Sequence, residues 1–186
     1  TPLQAIKRLA EAVGAVIHSA PAERQLVVAP RYPVSPWSWA DATPDAILPD
    51  YLMTRFGHRW EAGASYNAVY VSGETQGGVL VHVGRAGTGQ DSEAPMVVDS
   101  LITTRLAGRE RGRQVLAEAG NRARVPITTL LLPEPEAPGM IEPGQLVEVR
   151  ESGETWVGQA MSLSIEASRQ NAASVRQVIE VERYYG

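Results

Sequence analysis

Apolar residues fall at helical spacing in two stretches of the chain and at every second position in several others. Thr1-Pro2-Leu3-Gln4 predicts a helix start: a threonine cap, proline in the first helical position and a glutamine that closes a capping box. Leu3, Ile6, Leu9, Ala10 and Val13 then form one stripe, with Lys7 and Glu11 paired at i,i+4, and Gly14 is placed to end the helix in the left-handed conformation. A second helix is predicted over 100–119. Its small or apolar stripe of Leu101, Thr104, Gly108, Gly112, Val115, Leu116 and Ala119 suits close approach to a sheet. Strands are expected at 15–18, 25–29, 66–72, 79–85, 124–132, 146–150, 155–166 and 174–184. The last two exceed the usual five or six residues and are expected to pair antiparallel in a curled sheet or small barrel.

Residues 30–65 break this rhythm. Pro30, Pro33, Pro36, Pro44 and Pro49 forbid long regular elements, while Trp37, Trp39, Tyr51, Phe56 and Trp60 supply large apolar area. A disordered linker does not carry so many aromatics, so the stretch is expected to be ordered and packed on the body or on a neighbour. A second proline-rich run, Pro133–Gly139, reads as a semi-rigid connector. The expected fold class is α+β: β-barrel-like antiparallel sheets with two packed helices. The expected division is an α+β part at 1–132, a connector at 133–140 and a β region at 141–186. With threonine first and a helix following at once, the chain is expected to be a piece of a longer polypeptide.

A length of 186 residues is enough to bury roughly 70% of the unfolded surface and build a real core. There is no cysteine, which excludes disulfides and thiolate metal sites. No apolar run approaches the ~20 residues that span a bilayer as a helix, and no membrane insertion is expected.

Charge changes the picture more than composition does. The net charge is −4, yet residues 100–124 hold Arg105, Arg109, Arg111, Arg113, Arg122 and Arg124 against Glu110 and Glu118, which makes that segment +4 and leaves −8 for the rest. An acidic body does not suit a general nucleic-acid binder. A basic strip on an acidic body does suit contact between copies of one protein. Arg105, Arg109 and Arg113 stand at i, i+4 and i+8, so three like charges line one helix face and gain from an acidic partner. Loop carboxylates Asp91, Glu93, Glu134 and Glu136 are the expected partners. The alternative is a plain solvated face.

No catalytic or ligand-binding motif emerges, and the chain is read as no enzyme and as binding no cofactor or metal. His18, His58 and His82 lie on separate elements with no ligand spacing. Gly84-Arg85-Ala86-Gly87-Thr88-Gly89 is followed by Gln90 and Asp91 where a phosphate loop has lysine and then serine or threonine. Asp41, Asp45 and Asp50 lack the spacing of a calcium loop and suit caps and turns.

Taken in succession, "AIKRLAEAVGAVIHSAPAERQLVVAPRYPVSPWSW", "YNAVYVSGE", "GRERGRQVLAEAG", "IEPGQLVEVRESGETWVGQAMSLSIEA" and "VIEVERYY" resemble the C-terminal part of bacteriophage tail baseplate-hub proteins. That group is similar to the hubs of contractile-tail phages and to the N-terminal part of type VI secretion spike proteins. The resemblance implies a trimeric ring of barrel-like domains joining the tail tube to the tip or spike. It also implies location in the virion tail after synthesis in the bacterial cytoplasm. Arg105, Arg109 and Arg113, from their spacing and charge, and Trp37 and Trp39, from the aromatic loop, are the expected interface residues. The competing readings are a carbohydrate-binding module that stacks sugars on Trp37 and Trp39, and a cell-wall hydrolase with an unrecognised acid pair.

Overall fold

The computed structural model describes residues 1–19, 23–74, 78–131, 138–169 and 173–186. In chain order the elements begin with helix α1 (Pro2–Ala12) and the strands β1 (Ala15–Ser19) and β2 (Leu26–Pro30). The proline-rich stretch follows as a 3-10 turn at Pro36–Asp41, then β3 (Ala46–Pro49), a second 3-10 turn at Asp50–Leu52, β4 (Met53–Phe56) and β5 (Arg59–Glu61). Next come β6 (Ala68–Ser72), β7 (Leu80–Gly84), β8 (Glu93–Val98) and helix α2 (Arg105–Ala117). The chain continues through β9 (Arg122–Leu130), β10 (Leu146–Glu151), β11 (Glu154–Arg169) and β12 (Ala173–Tyr184).

Two compact units result, each built from two chain segments. One comprises 1–35 and 64–119, the other 36–63 and 120–186. The division expected at 132 does not separate them: β9 pairs with β12 from Arg122↔Tyr184 to Leu130↔Arg176, across the connector, because ladder hydrogen bonds tie strands far apart in sequence. The six residues 132–137 of that connector lie outside the described part, as do 20–22 and 75–77 in two of the expected turns.

In the first unit, β1 and β2 form a two-stranded sheet and β7-β6-β8 a three-stranded one. The α1 start matches the capping expectation, with both hydrogen bonds of the Thr1/Gln4 box present. Gly14 has φ +77° and follows the Val13 cap; a β-carbon there would sit 2.3 Å from Gln114 Oε1, so glycine is required both by backbone and by space. Helix α2 begins five residues later than expected. Asp99 Oδ1 accepts from Leu101 N (3.0 Å) and Ile102 N donates to Asp99 O (3.0 Å), closing a turn first, and the Thr104 hydroxyl then caps the helix by accepting from Ala107 N (3.2 Å). The small-residue stripe of α2 does lie on the sheet: β-carbons at Gly108 and Gly112 would stand 3.0 Å and 2.5 Å from Val81 Cγ2 and Val83 Cγ2.

In the second unit, a seven-stranded sheet ordered β3-β10-β11-β12-β9-β4, with β5 also on β9, curls into a half-barrel. The long pair β11–β12 is antiparallel as expected, from Gln159↔Glu182 to Arg169↔Ala173, with a bulge at Ala160/Ser162. The sheets are not purely antiparallel: β3 lies parallel to β10, and β6 parallel to β8. Alternation sorts β9 and β12 into two faces. Ala123, Val125, Ile127, Ile179 and Val181 enter the core with Leu48, Val147, Val149 and Trp156. On the other face Glu182 receives Arg122 (2.7 Å) and Arg124 (2.9 Å), while Glu180 receives Arg124 (3.6 Å) and Arg59 (3.5 Å).

Candidate assembly surface

Helix α2 divides its arginines between two tasks. Arg113 turns into the first unit: its Nη1 donates to Tyr32 O at 2.8 Å and its Nε to Glu110 Oε2 at 3.0 Å. Arg105 and Arg109 are exposed, and neither forms an ion pair among the described residues. The three-arginine ridge is therefore a two-arginine edge, because Glu110, three residues before Arg113, captures the third guanidinium. Leu106, between the two free arginines in sequence, is 68% exposed.

Beside Leu106 the first unit carries an open concavity of about 400 Å³. Val13, Val28, Pro30 and Ala107 contribute to its apolar lining, with the Glu110–Arg113 pair also on its wall. Of the α1 stripe, Ala10 is buried, whereas Leu3, Ile6 and Leu9 are exposed, contrary to the packing the spacing suggested. Amphipathic periodicity fixes which residues share a face and leaves open whether that face is covered within the chain. Residues 105, 106 and 109 thus join a basic edge to an apolar hollow. Leu106 was missed in the sequence because it lies off the small-residue stripe.

The remaining expected interface residues fall elsewhere. Trp39 is 1% exposed and Trp37 half-buried, so Trp39 offers no ring to a sugar or a neighbour. Trp60, at 57% exposure, leans on Tyr185 with ring centroids 4.8 Å apart. Among the expected acidic partners, Asp91 already accepts from Asn67 Nδ2 at 2.9 Å, a hydrogen bond that draws its carboxyl below the usual range. Glu93 is exposed, and Glu134 and Glu136 lie outside the described residues.

The histidines remain apart: His82 stacks on Tyr70 with centroids 4.5 Å apart, and His58 stands edge-on to Phe56 at 4.9 Å. Asp45 ties the start of β3 to the start of β10 rather than closing a turn: its Oδ2 accepts from Leu146 N at 2.8 Å and its own N donates to Leu146 O at 2.8 Å. Among the described residues no group of three or more histidine, cysteine, aspartate or glutamate side chains is placed to hold a metal ion. No helix among them is long and apolar enough to cross a membrane.

The fold is similar to that of two solved tail proteins. The tail protein from Neisseria meningitidis MC58 superposes with a TM-score of 0.58 at 17% identity, over 97% of this chain and 53% of that one. The 43 kDa tail protein of prophage MuSo2 from Shewanella oneidensis gives 0.59 at 19% identity, over 98% of this chain and 55% of that one. The chain thus spans about half the length of these two proteins. No protein-family model and no curated protein matches it.

Proposed function

We propose that this chain is a structural component of a phage or prophage tail, acting in the baseplate hub by assembling into a ring that joins the tail tube to the tip or spike. The observation that carries the reading is the likeness of nearly the whole fold to two solved tail proteins. Assembly of several copies, three in this reading, is supported by the surface of α2. Two exposed arginines without an ion pair among the described residues flank an exposed leucine and an apolar hollow, on a chain whose charge outside 100–124 is acidic. The protein works by holding neighbours in register, not by turnover, and its place is the virion tail.

Quantitative mass spectrometry of purified tail particles tests this. Peptides of this chain are expected at three copies per particle, alongside the tube and tip proteins. Particles that assemble and carry none of it would overturn the reading.

A further inference from the structure

Helix α1 and the β7-β6-β8 sheet each leave an apolar surface uncovered among the described residues of the first unit. The helix is 11 residues long and buries only Ala10 and Ala12. A helix that short is marginal by itself in water and draws its stability from packing of its apolar face. Arg8, about 200° around the helix from Ile6, is forked on Asp99, the residue after β8. This anchor turns Leu3, Ile6 and Leu9 outward, and all three are exposed.

The sheet is covered on one side. Val69 and Val71 are fully buried, and Val81 and Val83 lie under α2. On the opposite face the register sets Tyr70 beside His82 and Ser72 between Leu80 and Val98, with Met96 two residues before Val98. Tyr70, Leu80, Met96 and Val98 are exposed. A solvated sheet face alternates to polar residues, and this one does not.

The two surfaces match in size and in charge. A helix of 11 residues is about 16 Å long, and strands of five or six residues span about 17–20 Å. With Arg8 held by Asp99, the cation beside the stripe is Lys7, whose one ion pair among the described residues is an exposed i,i+4 link to Glu11. The three strands contain no lysine or arginine. Their single acid, Glu93, is paired with Ala68 in the register, on the Tyr70 face, exposed and without an ion pair among the described residues.

We propose that α1 of one copy lies across the bare face of the β7-β6-β8 sheet of a second copy, its apolar stripe on that face and Lys7 toward Glu93. The sheet then carries a helix on each side, an arrangement that buries both of its faces. Both halves of the contact stand on every chain, so copies of one protein suffice. The contact is heterologous, and repeating it builds a ring or an open array. It rests on the self-assembly reading above and adds to it a pair of surfaces distinct from the α2 edge.

The chain has no cysteine, so introduced thiols report contacts without background. The Ile6→Cys chain is mixed with the Met96→Cys or the Leu80→Cys chain, treated with a short bismaleimide, and the linked peptides are identified by mass spectrometry. Association is followed by sedimentation velocity. The mixtures are expected to give a linked dimer, and each variant alone far less. Leu9→Lys is expected to leave the circular dichroism spectrum unchanged and to weaken association by about tenfold or more. Lys7→Glu should weaken it too, and Glu93→Lys on the same chain should recover part of that loss. Linkage of the Ile6→Cys chain alone as efficient as in the mixtures would show α1 meeting α1 and overturn the proposal. Linkage found only within a doubly substituted chain would place the contact inside one copy and overturn it as well. A wild-type chain that associates, with no link in the mixtures and Leu9→Lys associating like wild type, would overturn this contact and leave the ring reading standing. A wild-type chain that stays monomeric at every concentration would overturn both.

Discussion

Arg122 and Glu182 form an ion pair of 2.7 Å between β9 and β12, with their side chains 8% and 0% exposed. Arg124 reaches the other oxygen of the same carboxylate at 2.9 Å, so one glutamate bridges two guanidinium groups away from water. Removing one member of such a pair takes from a desolvated charge a counterion that water does not replace. Glu182→Gln is therefore expected to destabilise the protein by roughly 3–5 kcal/mol, read as a lower urea midpoint. Glu148→Gln, which loses only the link to the exposed Arg150, should move the midpoint far less. Equal shifts would show that burial of the pair does not matter.

The approach of α2 to its sheet gives a second expectation. A β-carbon at Gly112 would lie 2.5 Å from Val83 Cγ2, whereas at Gly108 the nearest atom, Val81 Cγ2, is 3.0 Å away. Replacing glycine by alanine in a helix gains up to about 1 kcal/mol from propensity, and overpacking costs about 1–3 kcal/mol. Gly108→Ala should be near neutral and Gly112→Ala destabilising. Combining Gly112→Ala with Val83→Ala should recover part of the loss in a thermal melt. Additive losses in the double variant would contradict the packing described.

Acid sensitivity follows from two arginine–carboxylate forks. Arg8 donates to both oxygens of Asp99 at 2.7 and 2.8 Å, and these hydrogen bonds hold the Asp99 carboxyl below its ordinary range. Arg183, stacked on Trp156 and Tyr185, does the same for Glu154. A carboxyl with a depressed pKa in the fold binds fewer protons than the unfolded chain does. The stabilisation is thus complete above the ordinary carboxylate range near pH 4 and is lost as pH falls through the folded value. Melting temperature between pH 6 and pH 2.5 should fall less steeply for Asp99→Asn than for the wild type. An unchanged slope would remove this pair from the acid response.

Much of the fold was legible in the sequence where one rule acted alone. Thr1, Pro2 and Gln4 marked the α1 start, Gly108 and Gly112 the close face of α2, and alternation the β11–β12 hairpin. Strand β8 escaped because Pro95 and a register shift interrupt its alternation, and β3 to β5 because they are only three or four residues long. The parallel pairs β3–β10 and β6–β8 were invisible, since the partners of a parallel ladder are set by the path of the intervening chain. At the candidate surface, spacing named the arginine row correctly but treated its members alike. Glu110 and the carbonyl of Tyr32, one local and one 81 residues away, withdraw Arg113 from it.

The central claim is that this chain works by assembling with copies of itself, and its mass in solution tests that most directly. Sedimentation equilibrium over a hundredfold range of protein concentration is expected to give a species of three times the 20.1 kDa chain mass, weakened by high salt as expected where charge contributes. A mass that stays at 20.1 kDa at every concentration and salt would contradict the account.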